Sequence, residues 1–145
     1  MDVNGTQQLG LILQARREGY RYVVCEGSTR SGKTHAICQA LMIWASKESL
    51  EIDVTRKTFP PLRRDAMHTW EEVLKGQGLY SKNLHNKTEH AYDLPAGIVQ
   101  FFSADQEGKL RGPERDILWC SEANSLAHED FRQLRRRTRE TIILD

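Results

Sequence analysis

The chain has 145 residues, 39% of them hydrophobic and 28% charged, which suits one soluble globular domain with its own core. A net charge of +1 carries no overall signal for nucleic acid, so any such contact has to come from local patches. No apolar run approaches the roughly 20 residues of a membrane span and no secretory signal precedes the first helix, while three cysteines without a C-x-x-C pair (Cys25, Cys38, Cys120) read as reduced thiols in a cytosolic protein, with Cys25 and Cys120 in core strands.

Thr6 to Glu18 has a helical pattern (Leu9, Ile12, Leu13) that Gly19 closes. Tyr22 to Cys25 reads as a strand. Behind it, Gly27-Ser28-Thr29-Arg30-Ser31-Gly32-Lys33-Thr34 fits G-x-x-x-x-G-K-[ST], the phosphate-binding P-loop, and opens a helical pattern from Lys33 to Trp44. The residue types follow from the chemistry. Gly27 and Gly32 let the backbone turn its N–H groups toward an anion, and the helix start adds its positive dipole end. Lys33 is placed to neutralise the β- and γ-phosphates and the Thr34 hydroxyl to ligate Mg²⁺, so the stretch reads as a nucleoside triphosphate site.

Glu51 to Thr55 is a second strand, ending at Arg56-Lys57-Thr58. Pro60 and Pro61 start a helix whose buried stripe is Leu62, Ala66, Trp70 and Val73, with Gly76 and Gly78 ending it. His85 to Tyr92 and Gly97 to Ser103 read as a strand pair joined at Asp93–Gly97, and a polar loop from Asp105 to Arg115 follows. Ile117 to Cys120 is wholly apolar, as a central parallel strand is. Asn124 to Thr138 is polar and helix-like, and Thr141 to Leu144 forms a last strand. Alternating strands and helices predict an α/β fold with a mostly parallel sheet, helices on both faces and the hairpin at an edge.

A P-loop needs a second strand with an acidic end. Ile117–Cys120 leads to Ser121 and Glu122 at the end where phosphates lie in such sheets. Glu122 is the candidate general base for the attacking water. Ser121 stands where most P-loop proteins carry an Asp for Mg²⁺; it can hold the metal or a metal-bound water, with less charge. Asp116, before the strand, is expected at the far end of the sheet.

Gly27–Thr34, Arg56-Lys57-Thr58, Leu110-Arg111-Gly112 and Trp119–Asn124 together resemble the ATPase domain of a tailed-bacteriophage terminase large subunit, the DNA-packaging motor. The resemblance covers Arg21 to Asp145. It implies a RecA/ASCE-like P-loop NTPase fold that hydrolyses ATP with Mg²⁺ and moves double-stranded DNA into a procapsid. Lys33 and Thr34 would then hold phosphate and metal and Glu122 would be the catalytic carboxylate, while Ser121 departs from the usual Asp as a metal ligand. Arg30 would stabilise the γ-phosphate. Arg111 would complete the site of a neighbouring copy in a ring, and Thr141–Asp145 would begin the coupling motif. Further partners implied are the portal and the small terminase subunit, in the host cytoplasm and without a membrane. A family member continues through the rest of the ATPase sheet into an RNase H-like nuclease, so 1–145 reads as a single, partial ATPase domain without nuclease activity. Two other readings compete: a small P-loop kinase or phosphotransferase, and a non-catalytic nucleotide-gated assembly module. Kinases usually lack such a strand-end carboxylate and need a lid segment.

Weaker signals remain. Arg132, Arg135, Arg136, Arg137 and Arg139 form a basic strip, read as a solvated face in preference to a grip on DNA. Arg56 and Lys57 follow a strand end near where nucleotide or DNA could lie. Gln7 or Gln8 would contact adenine if the terminase resemblance extends upstream. The histidines show no metal-ligand spacing, and His85 and His90 read as surface residues of the hairpin.

Overall fold

The computed structural model describes residues 5–27, 32–106, 108 and 114–145. Helix α1 (Gly5–Arg17) leads to strand β1 (Tyr22–Val24), and helix α2 (Lys33–Lys47) leads to β2 (Glu51–Arg56). A composite helix follows: α3 (Phe59–Leu62), a π-helical turn over Arg63–Met67, and α4 (His68–Gly76). Short strands β3 (His85–Asn86) and β4 (Ala91–Asp93) precede β5 (Ile98–Ser103). Strand β6 (Arg115–Cys120), helix α5 (His128–Arg136) and β7 (Thr138–Leu144) complete the order.

These strands form one seven-stranded sheet in the order β1-β7-β6-β2-β5-β4-β3. β1, β7, β6, β2 and β5 are parallel, and β4 and β3 are antiparallel at one edge. The expected hairpin edge is therefore present. Its first arm is broken into two short strands, with His90 between them in the left-handed region (φ 52).

β6 sits between β7 and β2, and Ile117, Leu118, Trp119 and Cys120 are all buried, because both faces of a central parallel strand are covered. On one face lie α1, α2 and the composite helix, over a core that includes Ile37, Leu41, Trp70, Phe101 and Trp119. α2 contacts α1 on one flank and α4 on the other, which explains why it buries residues almost all round rather than along one stripe. The opposite face is covered by α5, where Leu134 and Phe131 pack over Phe102, Leu118, Cys120 and Ile142. No described helix is long and apolar enough to cross a membrane. All three cysteines are free, with Cys38 and Cys120 buried and Cys25 half-buried.

One buried charge lies on the α5 face. The Arg115 side chain is almost fully buried, bonds the Asp53 carboxylate through Nε, donates Nη1 to the Leu134 carbonyl at 3.2 Å, and lies over the Phe102 ring. It thereby joins β2, β6 and the last turn of α5. Because Arg115→Met withdraws the guanidinium from a carboxylate only 16% exposed, it is expected to cost about 3 kcal/mol in chemical denaturation. Asp53→Leu added to Arg115→Met is expected to recover part of that loss.

His85 departs from its expected surface position. Its side chain is 7% exposed, stacked on Tyr92 with ring centroids 4.1 Å apart and 3.4 Å from the Tyr80 hydroxyl. The broken hairpin arm folds it inward over the aromatic core. Burial pushes its pKa down, so protonation favours the unfolded chain and acidification weakens this corner. His90 is likewise half-buried, 4.5 Å from the Phe59 ring.

Candidate functional site

Parallel strands bring their C-terminal ends to the same side of the sheet, and here the ends of β1, β7, β6 and β2 open into a cavity of about 890 Å³. Gly27, Lys33 and Thr34 line it from the P-loop and the start of α2. Ser121, Glu122, Ala123 and Asn124 line it from beyond β6, and Leu144 and Asp145 from β7. Arg56, Arg64, Asp65 and Thr69 close it from β2 and the composite helix.

The glycines occupy the conformations that the motif needs. Gly27 has φ 141 and Gly32 φ 82, where a side chain would be strained. Gly32 is the residue before α2, so the free N–H groups of that helix's first turn, and its positive dipole end, lie at the cavity. Lys33 Nζ donates to the Gly27 carbonyl at 2.9 Å, reaching across the mouth of the loop. Of the P-loop, Ser28, Thr29, Arg30 and Ser31 lie outside the described residues, as does Arg111.

Glu122 leaves β6 through a left-handed bend (φ 50, ψ 60), an uncommon conformation for a glutamate. Its carboxylate is bound by Arg56 Nη2 at 2.6 Å, while Arg56 Nη1 bonds Asp65 at 2.8 Å. Arg56, expected only to lie near nucleotide or DNA, is thus inside the cavity and in contact with the candidate base. Lys57 is exposed. Ser121 is 5% exposed, with its N–H bonded to the Thr55 carbonyl at 2.9 Å. Asp116 lies at the far end, as expected, accepting from the Glu51 N–H and from Arg139.

Several cavity residues do not stand out as site residues in the sequence, among them Arg64 and Asp65, which the π-helical turn turns toward the site. Asp145, also in the cavity, reads there only as part of the coupling-motif stretch. Asp145 follows an apolar strand as Ser121 follows Ile117–Cys120, and that parallel was the available signal. π-helical turns recur at functional sites because the extra residue redirects side chains without ending the helix.

Burial first, then the nearby Asp145 charge, push the Cys25 thiol up to about 11, with Lys33 acting the other way. Cys25 is therefore a neutral thiol at the cavity wall and no nucleophile. A second hollow of about 470 Å³ shares Val24, Cys25, Glu26 and Lys33 with the main cavity and is lined further by Leu11, Tyr20 and Tyr22. Gln8 lines this hollow and Gln7 does not. Arg135 and Arg136 are exposed on α5, Arg132 pairs loosely with Glu129, and Arg139 pairs with Glu114 and Asp116.

Among the described residues, no group of three His, Cys, Asp or Glu side chains gathers to hold a metal by protein ligands alone. Mg²⁺ bound with a nucleotide asks less, one or two protein oxygens with phosphates and waters for the rest. Thr34, Ser121 and Asp145, all oxygen donors lining this cavity, fit that demand.

No protein-family model matches the chain, and no curated protein matches it in sequence. Solved structures do match in fold. The large terminase of a thermophilic bacteriophage superposes with a TM-score of 0.79 at 16% identity, over 95% of this chain and 38% of that one. The large terminase of bacteriophage HK97 gives 0.76 at 10% identity, over 99% and 33%. The large terminase ATPase domain of Thermus phage P74-26 gives 0.60 at 16%, over 100% and 70%. The thermophilic phage protein has also been solved with ADP and with ATP-γ-S. The chain has the mostly parallel α/β fold of these ATPase domains and spans 38% and 33% of the first two large-terminase chains.

Proposed function

We propose, from a fold shared with phage terminase ATPase domains, that this chain binds ATP with Mg²⁺ at the C-terminal edge of its sheet and hydrolyses it to drive double-stranded DNA into a procapsid. The observation that carries this reading is the meeting of Lys33 and Glu122 in one cavity, from the P-loop and from the end of β6. A phosphate-directed cation and a water-directed carboxylate are the two groups that hydrolysis of a triphosphate needs from the protein.

The residues divide the work by position. Lys33 exchanges the Gly27 carbonyl for phosphate oxygens, and the first-turn N–H groups of α2 hold the same anion. Glu122 accepts the proton side of the attacking water and orients it. Arg56 holds the Glu122 carboxylate at 2.6 Å, so it sets where that carboxylate points. Arg30 and Arg111 extend this assignment from the terminase resemblance, Arg30 to the γ-phosphate and Arg111 to a neighbouring copy's site. When bound, Mg²⁺ neutralises charge on the β- and γ-phosphates, with Thr34 and Ser121 as its candidate hydroxyl donors. The base of the nucleotide fits the apolar hollow beside Gln8 and Tyr22. Residues 1–145 act here as one ATPase domain, with the portal, the small terminase subunit and further copies of the chain as partners in the host cytoplasm.

Steady-state ATP hydrolysis at several protein concentrations, with and without double-stranded DNA, tests the reading. Specific activity is expected to rise with concentration and with DNA, and Arg111→Ala is expected to abolish the rise with concentration while leaving ATP affinity nearly intact. Hydrolysis absent under every condition despite nucleotide binding would favour a non-catalytic assembly module. Transfer of phosphate to a small acceptor in place of water would favour a kinase.

A further inference from the structure

The β6 end is short of charge. Ser121 is neutral, and the Glu122 carboxylate beside it is engaged by Arg56. Asp65 is engaged by the same arginine. Glu26 lines the cavity from an exposed loop position. Asp145 differs from all three in how it is held and where it points.

β6 and β7 are parallel with Cys120 opposite Leu144, so the next residues, Ser121 and Asp145, leave the sheet side by side. The Asp145 N–H donates to the Cys120 carbonyl, and the Asp145 carbonyl accepts from the Ala123 N–H at 2.9 Å. Strand alternation sets the direction of both side chains. Leu118, Cys120, Ile142 and Leu144 face the core under α5, whereas Trp119 and Ile143 face the core under α2. The following residues, Ser121 and Asp145, therefore belong to the α2 face, where Thr34 begins that helix.

The Asp145 carboxylate is fixed there by two N–H donors. Trp119 Nε1 donates to Oδ2 at 2.8 Å, and the Glu122 backbone N–H donates to Oδ1 at 3.1 Å. Each oxygen keeps a lone pair for another partner. The charge acts into the cavity, since the Cys25 thiol, displaced chiefly by its burial, also feels Asp145 and Lys33 in opposite directions.

We infer that Asp145 supplies, from the end of β7, the carboxylate that β6 lacks at Ser121, and directs it at the divalent cation bound with the nucleotide. The inference rests on the nucleotide-site reading above. It gives the cation one anionic and two hydroxyl oxygens from this chain, where Thr34 and Ser121 alone would leave it with hydroxyls, weak ligands for so hard an ion. The bond to the Glu122 N–H gives Asp145 a second effect, holding the left-handed bend on which the candidate base is carried.

The test measures affinity for ATP-γ-S with Mg²⁺ and with EDTA, and Mn²⁺ binding by paramagnetic resonance in the presence of ADP. Asp145→Asn keeps a carbonyl acceptor for the Trp119 N–H and loses the charge. It is expected to keep the EDTA affinity within about twofold and to lose about tenfold or more of the gain from Mg²⁺, with Mn²⁺ binding weakened alike. Ser121→Asp added to Asp145→Asn is expected to restore that gain by returning the carboxylate to β6. Unchanged Mg²⁺ dependence in Asp145→Asn overturns the inference and leaves the nucleotide site standing. Equal loss with and without metal, not recovered by Ser121→Asp, assigns Asp145 a structural role and overturns it as well. A parent chain that binds no nucleotide in either condition overturns the site reading, and this inference with it.

Discussion

Glu122→Gln is expected to bind Mg·ATP as the parent chain does and to hydrolyse it at least about a hundredfold more slowly. Glutamine keeps the size of the side chain and its carbonyl acceptor, so the left-handed bend and the bond from the Glu122 N–H to Asp145 have no reason to change. What goes is the negative charge that polarises water. The Arg56 pair sharpens the expectation, because a carboxylate oxygen held at 2.6 Å faces the guanidinium and not water. The parent rate therefore depends on how far bound nucleotide draws Arg56 away, whereas the glutamine variant is slow in either arrangement. Phosphate release under saturating ATP, beside an affinity for ATP-γ-S, separates the two quantities. Turnover at the parent rate would remove Glu122 from the role of base and return attention to Ser121 and Asp145.

Lys33→Ala is expected to weaken ATP binding by about ten- to a hundredfold and to abolish turnover. The figure follows from a hydrogen bond to a charged group, worth about 1.5–3 kcal/mol, lost at the phosphates. In the structure Lys33 holds the Gly27 carbonyl across the loop, a neutral partner that phosphate oxygens outbid by their charge. The substitution lies in the first turn of α2, whose buried residues begin at Ala36, so the fold should stand. Calorimetric titration of ATP into the variant decides the matter. An affinity equal to the parent's would mean that the glycine-rich turn does not bind phosphate.

The parts of the molecule legible in the sequence are those where one local pattern has one physical outcome. The P-loop glycines adopt the positive φ values that their spacing calls for, and Ile117–Cys120 lies inside the sheet, between β7 and β2, because a strand apolar on both faces has nowhere else to go. Trp70 is fully buried, as its place in the helical stripe required. Other features depended on partners far away in the chain. The stripe of Leu62, Ala66, Trp70 and Val73 is compatible with an unbroken α-helix, so the wide turn at Arg63–Met67 left no mark in the periodicity. His85 looked like a surface hairpin residue because its burial comes from Tyr80 and Tyr92, across a broken strand. Arg115 read as the polar end of a loop, yet it is buried because Asp53 and the Leu134 carbonyl wait inside. The site shows the same division. Lys33, Thr34, Ser121 and Glu122 stood out by motif and strand end, whereas Arg56 and Asp145 acquire meaning only when β2 and β7 lie beside β6.

Among the described strands β1 pairs with β7 and no other, which has a consequence for how the protein is made. A nascent chain leaves the ribosome from its N-terminus, so β1 is synthesised more than a hundred residues before its sheet partner. Until Thr138–Leu144 emerges, Tyr22, Val23 and Val24 have no strand to pair with, and Lys33 cannot be brought to face Glu122. Contacts so distant in sequence are slow to close, because the intervening chain must first be ordered. The candidate nucleotide pocket therefore forms only after β7 has been made, and nucleotide can select for chains in which β1 and β7 have paired.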